Sequence, residues 1–399
     1  MSVSHRAQQL GRPGPDVYAV MAADPWSADN PDGYIDLGTA ENRLVFDLLE
    51  PRLTAPRRVT AEDTQYQELA GSLPFRVELA RFLTGLQGVE VDAGELVVLA
   101  GVGPVLEALA YALCDPGEAI VVPAPYFPGV DGAFGGRAGV RVIPAQPGPD
   151  FVLSAEAVDA AITEALDRGE RPRAVCLLSP GNPLGLVYDA GTLQALADVA
   201  ARHNLHLIVD EIYAGSVHDG SFVSASRLKF PADRLHLAWG FAKDFGLSGY
   251  KVGVLQTRNP DVRTIAERLG RFATPSSDTQ VLLRDLLADT AWTDAFLTES
   301  RSRLATAYRR TTEALDAAGL SYLPATAGLF LYLDLRQFLP EPTFEAESTL
   351  ATRIFTDARL HLPAGATFHT PTPGYYRLCF TTTPAVPTAI TRLTHLLTS

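Results

Sequence analysis

Short apolar runs that alternate with helical segments constrain the fold of this chain more than any other feature of its sequence. Each run is bounded by Gly, Pro or Asp, as is typical of strands whose two faces are both covered. The runs span Leu96–Ala100, Ala119–Val122, Val140–Ile143, Ala174–Leu178, Leu207–Val209, Leu235–Trp239 and Val252–Leu255. Amphipathic patterns at Val105–Leu113 and Leu193–His203 predict helices between them. Repeated strand–helix–strand units predict an α/β fold in which helices cover both faces of a mostly parallel sheet.

Length, charge and cysteine content narrow the possible functions. A chain of 399 residues is long enough for two domains. The net charge of −13 disfavours nucleic acid and anionic membranes as partners. Cys114, Cys176 and Cys379 lie in apolar runs without metal-ligand spacing, and the polar, Gly/Pro-rich start of the chain has no secretory signal pattern. We therefore expect a cytoplasmic protein with reduced cysteines, no metal site and no membrane span.

The turn Gly101-Val102-Gly103-Pro104 follows the first predicted strand. Ligands of parallel sheets bind beyond the carboxyl ends of the strands. Glycines before a helix let backbone N–H groups approach a phosphate, and Pro104 suits the first position of that helix. The same turn is equally compatible with an ordinary strand-to-helix connection.

Two further loops at this predicted edge present side chains that a ligand could use. The loop PAPYFP after the second run presents Tyr126 and Phe127, which are either core residues or a surface for a flat ring. The loop SPGNPLG after the fourth run fixes the backbone around Asn182. A third junction carries Glu41 and Asn42, which either cap the following helix or contact a substrate.

Asp210, Tyr213 and Lys243 form the most specific set. Asp210 ends a fully apolar run, where an ionised carboxylate needs a cationic partner. Lysine occurs only at positions 229, 243 and 251, and Lys243 follows a predicted buried strand in a Gly-rich segment. Burial would lower its pKa and make it a Schiff-base nucleophile, although Lys243 taken alone is more typical of a surface lysine. A carboxylate for a pyridinium nitrogen, a phenol for a ring hydroxyl and a lysine together are what pyridoxal phosphate requires.

These motifs resemble those of fold-type I pyridoxal-phosphate enzymes of the class I/II aminotransferase superfamily, and most of all 1-aminocyclopropane-1-carboxylate (ACC) synthase. The resemblance runs through LGTAENRLVFDLL, PAPYFPG, SPGNPLG, DEIYAGSVHD, AKDFGLSGYKVG and YYRLCF. It implies a three-layer αβα transferase fold with a mostly parallel seven-stranded sheet and a smaller α+β domain.

The resemblance also implies roles for individual residues. Lys243 would form the Schiff base and act as acid/base, Asp210 would pair with the ring nitrogen, Tyr213 and Asn182 would contact the ring oxygen, and Phe127 would stack on the ring. The phosphate would be held by Gly101, Val102, Gly103 and Lys251. Arg377 would clamp the α-carboxylate of the substrate, and Glu41 and Tyr126 are expected among the substrate contacts.

Three residues depart from the family pattern around the phosphate. Leu69 stands where the family has a tyrosine that reaches the phosphate of the neighbouring subunit. Gly240 replaces a serine, and Lys251 replaces an arginine, so that charge is kept without a bidentate fork. We therefore expect Gly101–Pro104 and Lys251 to hold more of the phosphate.

The same resemblance implies a domain division and a homodimer with shared active sites. Residues 61–285 would form the large cofactor domain, and residues 1–60 with 286–399 the small domain. Within the second part we expect helices at Ala291–Leu315, Ala346–Leu360 and Ala385–Leu397 and strands at Gly328–Leu335 and Tyr375–Phe380.

Three functions remain open from the sequence. The first is an ACC-synthase-like enzyme that eliminates methylthioadenosine from S-adenosylmethionine (SAM), followed by ring closure or by capture of the intermediate by a second substrate such as NAD. The second is an aminotransferase. The third is a catalytically silent relative, which the complete set Asp210, Tyr213, Lys243 and Arg377 argues against.

Overall fold

A computed structural model of the chain describes residues 3–4, 17–57, 59–148 and 151–398. Within these residues, seven strands form one sheet in the order β2-β8-β7-β6-β5-β3-β4. The strands are β2 Leu96–Leu99, β3 Ala119–Pro123, β4 Arg141–Ala145, β5 Pro172–Leu178, β6 His206–Asp210, β7 Leu235–Gly240 and β8 Gly253–Thr257. All pairs are parallel except those that β8 makes with β2 and β7. The prediction of a mostly parallel seven-stranded sheet is confirmed.

Helices cover both faces of this sheet. The chain forms α1 Val17–Ala23, α2 Phe46–Leu53, α3 Leu73–Gln87, α4 Val102–Leu113, α5 Gly129–Gly135, α6 Ala155–Asp167, α7 Ala190–Arg202, α8 Phe241–Asp244, α9 Pro260–Gly270, α10 Ser277–Ala288, α11 Thr290–Ala317, α12 Phe344–Thr356 and α13 Val386–Thr398. Successive residues of β3 show the layering, since Ile120 packs with Leu109 of α4 and Val121 packs with Ile162 of α6. A strand buried on both faces has no polar alternation, which is why these runs are continuously apolar.

A second, smaller structure contains the antiparallel sheet β12-β10-β9. Its strands are β9 Ser321–Leu323, β10 Phe330–Asp334 and β12 Tyr375–Cys379, and a separate parallel pair joins β1 Ile35–Asp36 to β11 Leu360–His361. One core cluster joins β1, β10, β11 and β12 to residues of α11, α12 and α13. Strand β1 and the last third of the described chain therefore share one core.

Two boundary predictions are wrong. The helix predicted at Ala346–Leu360 spans Phe344–Thr356, and Leu360 belongs to β11; no Gly or Pro before Pro363 marks its end, so periodicity could not place it. Pro104 is the third residue of α4 rather than the first, because Gly101 is the N-cap. A proline is still tolerated there, since the first helical turn has no intrahelical acceptors for its N–H groups.

The domain division at residues 61 and 285 stays a prediction. One hydrophobic cluster contains Val45 and Leu49 together with Phe75, Trp239 and Leu286, so packing does not separate the segments at those positions. Cys114, Cys176 and Cys379 are all buried free thiols. No helix in the described part of the chain is long and apolar enough for a membrane span. Most of the polar start of the chain lies outside the described residues.

Candidate active site

Ten of the twelve predicted site residues meet at one cavity of about 520 Å³. Its wall includes Gly101, Val102, Gly103, Phe127, Asn182, Asp210, Tyr213, Lys243, Lys251 and Arg377. The strands β2, β5, β6 and β7 each end at this cavity, as expected for a parallel sheet. Arg377 comes from β12 of the smaller sheet, so the cavity lies where the two sheets approach each other.

Lys243 lies in α8, a single turn that follows β7 directly. Its Nζ donates a hydrogen bond to the carbonyl oxygen of Ala40 at 2.6 Å. Burial lowers the pKa of Lys243, and the nearby Arg377 lowers it further, while Glu41 and Asp210 act in the opposite direction. A buried lysine with a lowered pKa is more available as a neutral amine, which is the form that attacks a carbonyl or accepts a proton.

Asp210 ends β6 with its carboxyl group buried in the cavity wall. Its Oδ1 accepts one hydrogen bond, from the N–H of Ile212 at 3.1 Å. Burial raises the pKa of Asp210 to about 7, against the effects of that N–H and of Lys243. A cation in the cavity beside Asp210 would restore the ionised form, so this carboxyl group fits a protonated ring nitrogen.

Hydrogen bonds connect Tyr213, Asn182 and Arg377. Asn182 donates from Nδ2 to the Tyr213 hydroxyl at 3.4 Å, and Arg377 donates from Nη1 to Asn182 Oδ1 at 3.0 Å. Burial raises the pKa of Tyr213 far above its usual range, so its hydroxyl is protonated and can donate to a ring oxygen. The amide of Asn182 thus couples the predicted ring contact to the predicted carboxylate clamp.

Arg377 is almost fully buried, at 4% exposed, and contacts with its neighbours hold its side chain in place. Its Nη2 donates to the carbonyl oxygen of Gly38, and its guanidinium lies between the rings of Phe330 and Phe368, 5.2 Å and 4.9 Å from their centroids. Nε donates to no described residue. A buried guanidinium without a carboxylate partner in its surroundings fits an anionic ligand group.

The turn before α4 and Lys251 lie close together in the cavity wall. Gly101 has φ of +110°, and the Lys251 ammonium lies 4.0 Å from the position that a Cβ on Gly101 would take. Gly253 makes this possible, because a Cβ there would lie 2.5 Å from the N atom of Val102. Free N–H groups at a helix N-terminus beside an ammonium group fit a phosphate.

The backbone around position 240 leaves no room for a side chain, which explains the glycine there. Its backbone is extended, and a Cβ there would lie 2.7 Å from the carbonyl oxygen of Val252 and 3.2 Å from Val102. A serine at this position would therefore require a backbone shift. Leu69 is 36% exposed and lies outside the cavity wall.

Of the two predicted aromatic contacts, only Phe127 reaches the cavity. Phe127 is 41% exposed, whereas Tyr126 is buried, donates to Asp131 at 2.8 Å and stacks on His369. Phe127 can thus cover the face of a flat ring. Tyr126 packs behind the wall, and its role as a substrate contact stays a prediction.

Glu41 also lies outside the cavity wall, with its carboxylate paired to Arg43 at 2.9 Å. Asn42 does not cap α2, because the N-cap residue of that helix is Val45, which makes no side-chain cap hydrogen bond. Instead, Asn42 Oδ1 accepts a hydrogen bond from the N–H of Leu44, and Asn42 Nδ2 donates one to the hydroxyl of Ser300. The substrate contact predicted for Glu41 stays a prediction.

Sequence reasoning missed a part of the wall that comes from α1, β11 and the loop after β1. It consists of Tyr18, Gly38, Thr39, Ala40, His361 and Pro363. The available signal was weak, because β1 and β11 have two residues each and show no periodicity.

The residues present fit pyridoxal phosphate, as the sequence predicted. A buried carboxyl group, a phenol–amide pair, a buried lysine and an anion site surround one cavity, and these match the nitrogen, the ring oxygen, the aldehyde and the phosphate of that cofactor. Arg377 remains for a further anionic group.

Comparisons with known proteins identify the family of the chain. Residues 34–393 match the model of the family described as aminotransferase class I and II. The chain is 35% identical over 386 residues to 1-aminocyclopropane-1-carboxylate synthase 3 of Oryza sativa subsp. japonica, covering 90% of this chain and 85% of the relative. It is 32% identical over 387 residues to 1-aminocyclopropane-1-carboxylate synthase 2 of Solanum lycopersicum, covering 92% and 80%.

Solved structures share the fold. Aspartate aminotransferase from Thermus thermophilus with maleate superimposes with a TM-score of 0.83 at 24% identity, covering 99% of this chain and 100% of that chain. Aspartate aminotransferase from Thermotoga maritima gives a TM-score of 0.79 at 21% identity, covering 100% of both chains.

Proposed function

The chain belongs to the class I and II aminotransferase family of pyridoxal-phosphate-dependent enzymes, and on that basis we propose that it is an ACC-synthase-like enzyme that releases methylthioadenosine from SAM. The observation that carries this proposal is the 32–35% identity to ACC synthases over about nine-tenths of the chain. The strings AENRLVFDLL and DEIYAGSV are more particular to that group than to aminotransferases generally. The first contributes Ala40 to the cavity wall, and the second contributes Asp210, Ile212 and Tyr213.

The cofactor, when bound, withdraws electrons from the α-carbon of an amino acid and so acidifies its C–H bond. Asp210 favours the protonated ring nitrogen, and Tyr213 with Asn182 holds the ring oxygen. Gly101 and Lys251 would hold the phosphate. Each of these contacts orients the ring, so the chain sets which bond of the substrate is activated.

Arg377 and Lys243 would handle the substrate. The guanidinium of Arg377 binds the α-carboxylate, and the hydrogen bonds from Arg377 to Asn182 and Gly38 fix its direction. The neutral amine of Lys243, favoured by its lowered pKa, takes the α-proton. The Cγ–S bond of SAM then breaks with its electron pair on the sulfur, so that the sulfonium leaves as a neutral thioether while a new carbon–carbon bond forms at the γ-carbon.

The four-carbon unit that remains either closes to a cyclopropane or is captured by a second substrate. NAD is one partner of suitable chemistry, because its pyridinium ring is electron-poor. An aminotransferase is the alternative function, since the same residues would serve the transfer of an amino group to a keto acid.

The test is to incubate the purified protein with SAM in the absence of keto acid. Methylthioadenosine should accumulate over many turnovers, because elimination needs no second half-reaction. Lys243→Ala should abolish the release, whereas Lys229→Ala, which changes an exposed lysine, should not. Release only after NAD is added would favour capture. Stoichiometric pyridoxamine phosphate without methylthioadenosine would overturn the proposal and favour the aminotransferase.

We also infer a homodimer in which a second copy covers apolar side chains around α3. Tyr66, Leu73, Val77 and Phe272 are 107%, 49%, 48% and 80% exposed, and exposed apolar residues of this size are typical of interfaces. Leu73→Glu combined with Val77→Glu should convert a dimer to a monomer in light scattering. A wild-type protein that is monomeric at micromolar concentration would contradict this inference. The cytoplasmic location stays a prediction, based on the three free cysteines.

A further inference from the structure

The cavity contains a second side chain that can accept a proton, His361. It belongs to β11, whereas Lys243 follows β7, so the two groups reach the cavity from different sheets. The roles assigned above to Lys243, Asp210 and Arg377 leave His361 without a function. Its partner, Asp36, lies on the neighbouring strand β1, where Asp36 and His361 are directly opposite in register.

Asp36 fixes the tautomer of the neutral imidazole ring. Its Oδ1 lies 2.9 Å from His361 Nδ1 and accepts from the N–H groups of Gly38 and Thr39 at 2.8 Å and 3.1 Å. Burial by itself would raise the pKa of Asp36, but the hydrogen bonds from His361, Thr39 and Gly38 outweigh burial and lower it to about 2. An ionised carboxylate only accepts hydrogen bonds, so Nδ1 of the neutral ring carries the proton and Nε2 has a free lone pair.

No described residue forms a hydrogen bond with Nε2 of His361. The imidazole ring lies against Gly38, because a Cβ on Gly38 would come within 2.5 Å of Cε1 and Nδ1 of His361. The Tyr18 ring packs edge-on against the imidazole ring, with 5.6 Å between the two ring centroids. The charged or titratable groups that face the ring are therefore Asp36 on β1, Tyr18 on α1 and, through the Gly38 carbonyl, Arg377 on β12. Among these groups, only Asp36 can balance a positive charge on the imidazole.

The loop after β1 couples this pair to the rest of the site. Asp36 holds the N–H groups of Gly38 and Thr39, the Gly38 carbonyl accepts from Arg377, and the Ala40 carbonyl accepts from Lys243. One short segment thus positions both proton acceptors and the carboxylate clamp. A substrate held by Arg377 would lie within the same cavity as both Lys243 and His361.

On the proposed function, we propose that His361, oriented by Asp36, is a second general base that removes a proton from the β-carbon of the substrate. Ring closure requires the loss of the α-proton alone, so a second base is needed only when a β-proton leaves as well. The β C–H bond breaks as Nε2–H forms, and its electron pair would be delocalised through the α-carbon towards the bound cofactor, so this step is reversible while the Cγ–S bond is intact. The pair becomes the Cβ–Cγ double bond when the Cγ–S bond breaks. The Cγ–S bond breaks and its pair leaves with the sulfur. Asp36 balances the imidazolium, which releases its proton to solvent before the next turnover.

The experiment uses the holoenzyme with methionine in D2O, because methionine has the α- and β-hydrogens of SAM but a poor leaving group. Proton NMR follows the exchange of both positions. Wild type should exchange both, and His361→Gln should slow β-exchange about 100-fold or more, the usual contribution of a general base, while α-exchange through Lys243 continues. The matched control is His203→Gln, which removes another histidine paired with an aspartate, Asp159 at 2.6 Å, outside the cavity wall; it should change neither rate.

The outcomes separate this inference from the proposed function. Two results would overturn the inference and leave the function standing. In the first, wild type exchanges the α-position but not the β-position. In the second, both proteins exchange the α-position, and His361→Gln exchanges the β-position as fast as wild type does. No exchange at either position, together with no methylthioadenosine from SAM, refutes the function and the inference with it. Nitrogen-15 NMR of the neutral ring gives a readout that does not depend on activity: protonated Nδ1 supports the proposal, and protonated Nε2 overturns it. Asp36→Asn should mix the two tautomers.

Discussion

Replacing Asp210 by Asn in the cofactor-free protein should increase stability at high pH while it destroys activity. The folded state must bury the carboxyl group of Asp210, and burial raises its pKa from 3.8 to about 7. Because the folded pKa is the higher one, the folded state binds more protons than the unfolded state between these two values. The stability that depends on Asp210 is therefore present at low pH and falls as the pH rises through that window.

The magnitude follows from the two pKa values. Each pKa unit corresponds to about 1.4 kcal/mol, so an ionised Asp210 costs the cofactor-free protein up to about 4 kcal/mol above pH 7. Asn has nearly the same shape and no charge, and its Oδ1 can still accept from the Ile212 N–H. Asp210→Asn should therefore be close to wild type in stability only below about pH 3.8 and more stable by about 1.6 kcal/mol at pH 5 and by up to about 4 kcal/mol at pH 8.

The assay is urea unfolding of the cofactor-free wild type and variant at pH 5 and pH 8. Glu211, whose pKa burial raises to about 8, titrates in both proteins, so the difference between them reports mainly on Asp210. With cofactor and substrate, turnover should fall by about 10²–10³-fold or more, since a preorganised electrostatic partner of the reacting system is lost.

Asp244→Asn is the matched contrast. Burial also raises the pKa of Asp244, to about 6, but its carboxylate accepts from Gly215 N–H, the Ser216 hydroxyl and Trp239 Nε1. An amide cannot accept all three, so this variant should lose about 1–3 kcal/mol of hydrogen-bond energy that Asp210→Asn keeps. Removal of its buried charge should offset more of that loss at pH 8 than at pH 5. Two results would contradict this reasoning: an Asp210→Asn variant that is no more stable than wild type at pH 8, or one whose gain in stability at pH 5 equals its gain at pH 8. In either case the buried charge of Asp210 would not reduce the stability of wild type.

Three further substitutions, and one control substitution, test the site. Lys243→Ala should bind the cofactor without the covalent attachment that borohydride reduction makes permanent in wild type. Attachment of the cofactor to another lysine in wild type would show that Lys243 is not the Schiff-base lysine. Arg377→Lys should raise KM for every α-amino acid at least about tenfold, since lysine cannot form two parallel bonds to a carboxylate; an unchanged KM would remove Arg377 from the clamp. Gly253→Ala should cost about 1–3 kcal/mol by overpacking against the turn at Gly101, measured by urea unfolding. Gly103→Ala, where a Cβ would meet no atom within 4 Å, should change stability much less.

The strands and the residues that follow them could be predicted from the sequence. The seven apolar runs correspond to β2 through β8, because strands buried on both faces carry their pattern locally. Asp210, Asn182 and Lys243 were expected at one edge because the carboxyl ends of parallel strands meet there. The resemblance to a family supplied Arg377, which no local pattern would have singled out.

Contacts between distant segments could not be predicted in this way. Lys243 and Ala40 are 203 positions apart, and Arg377 and Gly38 are 339 apart. The pairing of β1 with β11 brings Asp36 to His361, yet two-residue strands have no periodicity to detect. The reason is physical. Burial and strand periodicity depend on residues that are adjacent in the sequence, whereas the distance between a histidine and an aspartate on strands far apart in the sequence depends on how whole elements pack. The sequence by itself determined the sheet and the cofactor chemistry, and only the tertiary structure decided which second base shares the cavity with Lys243.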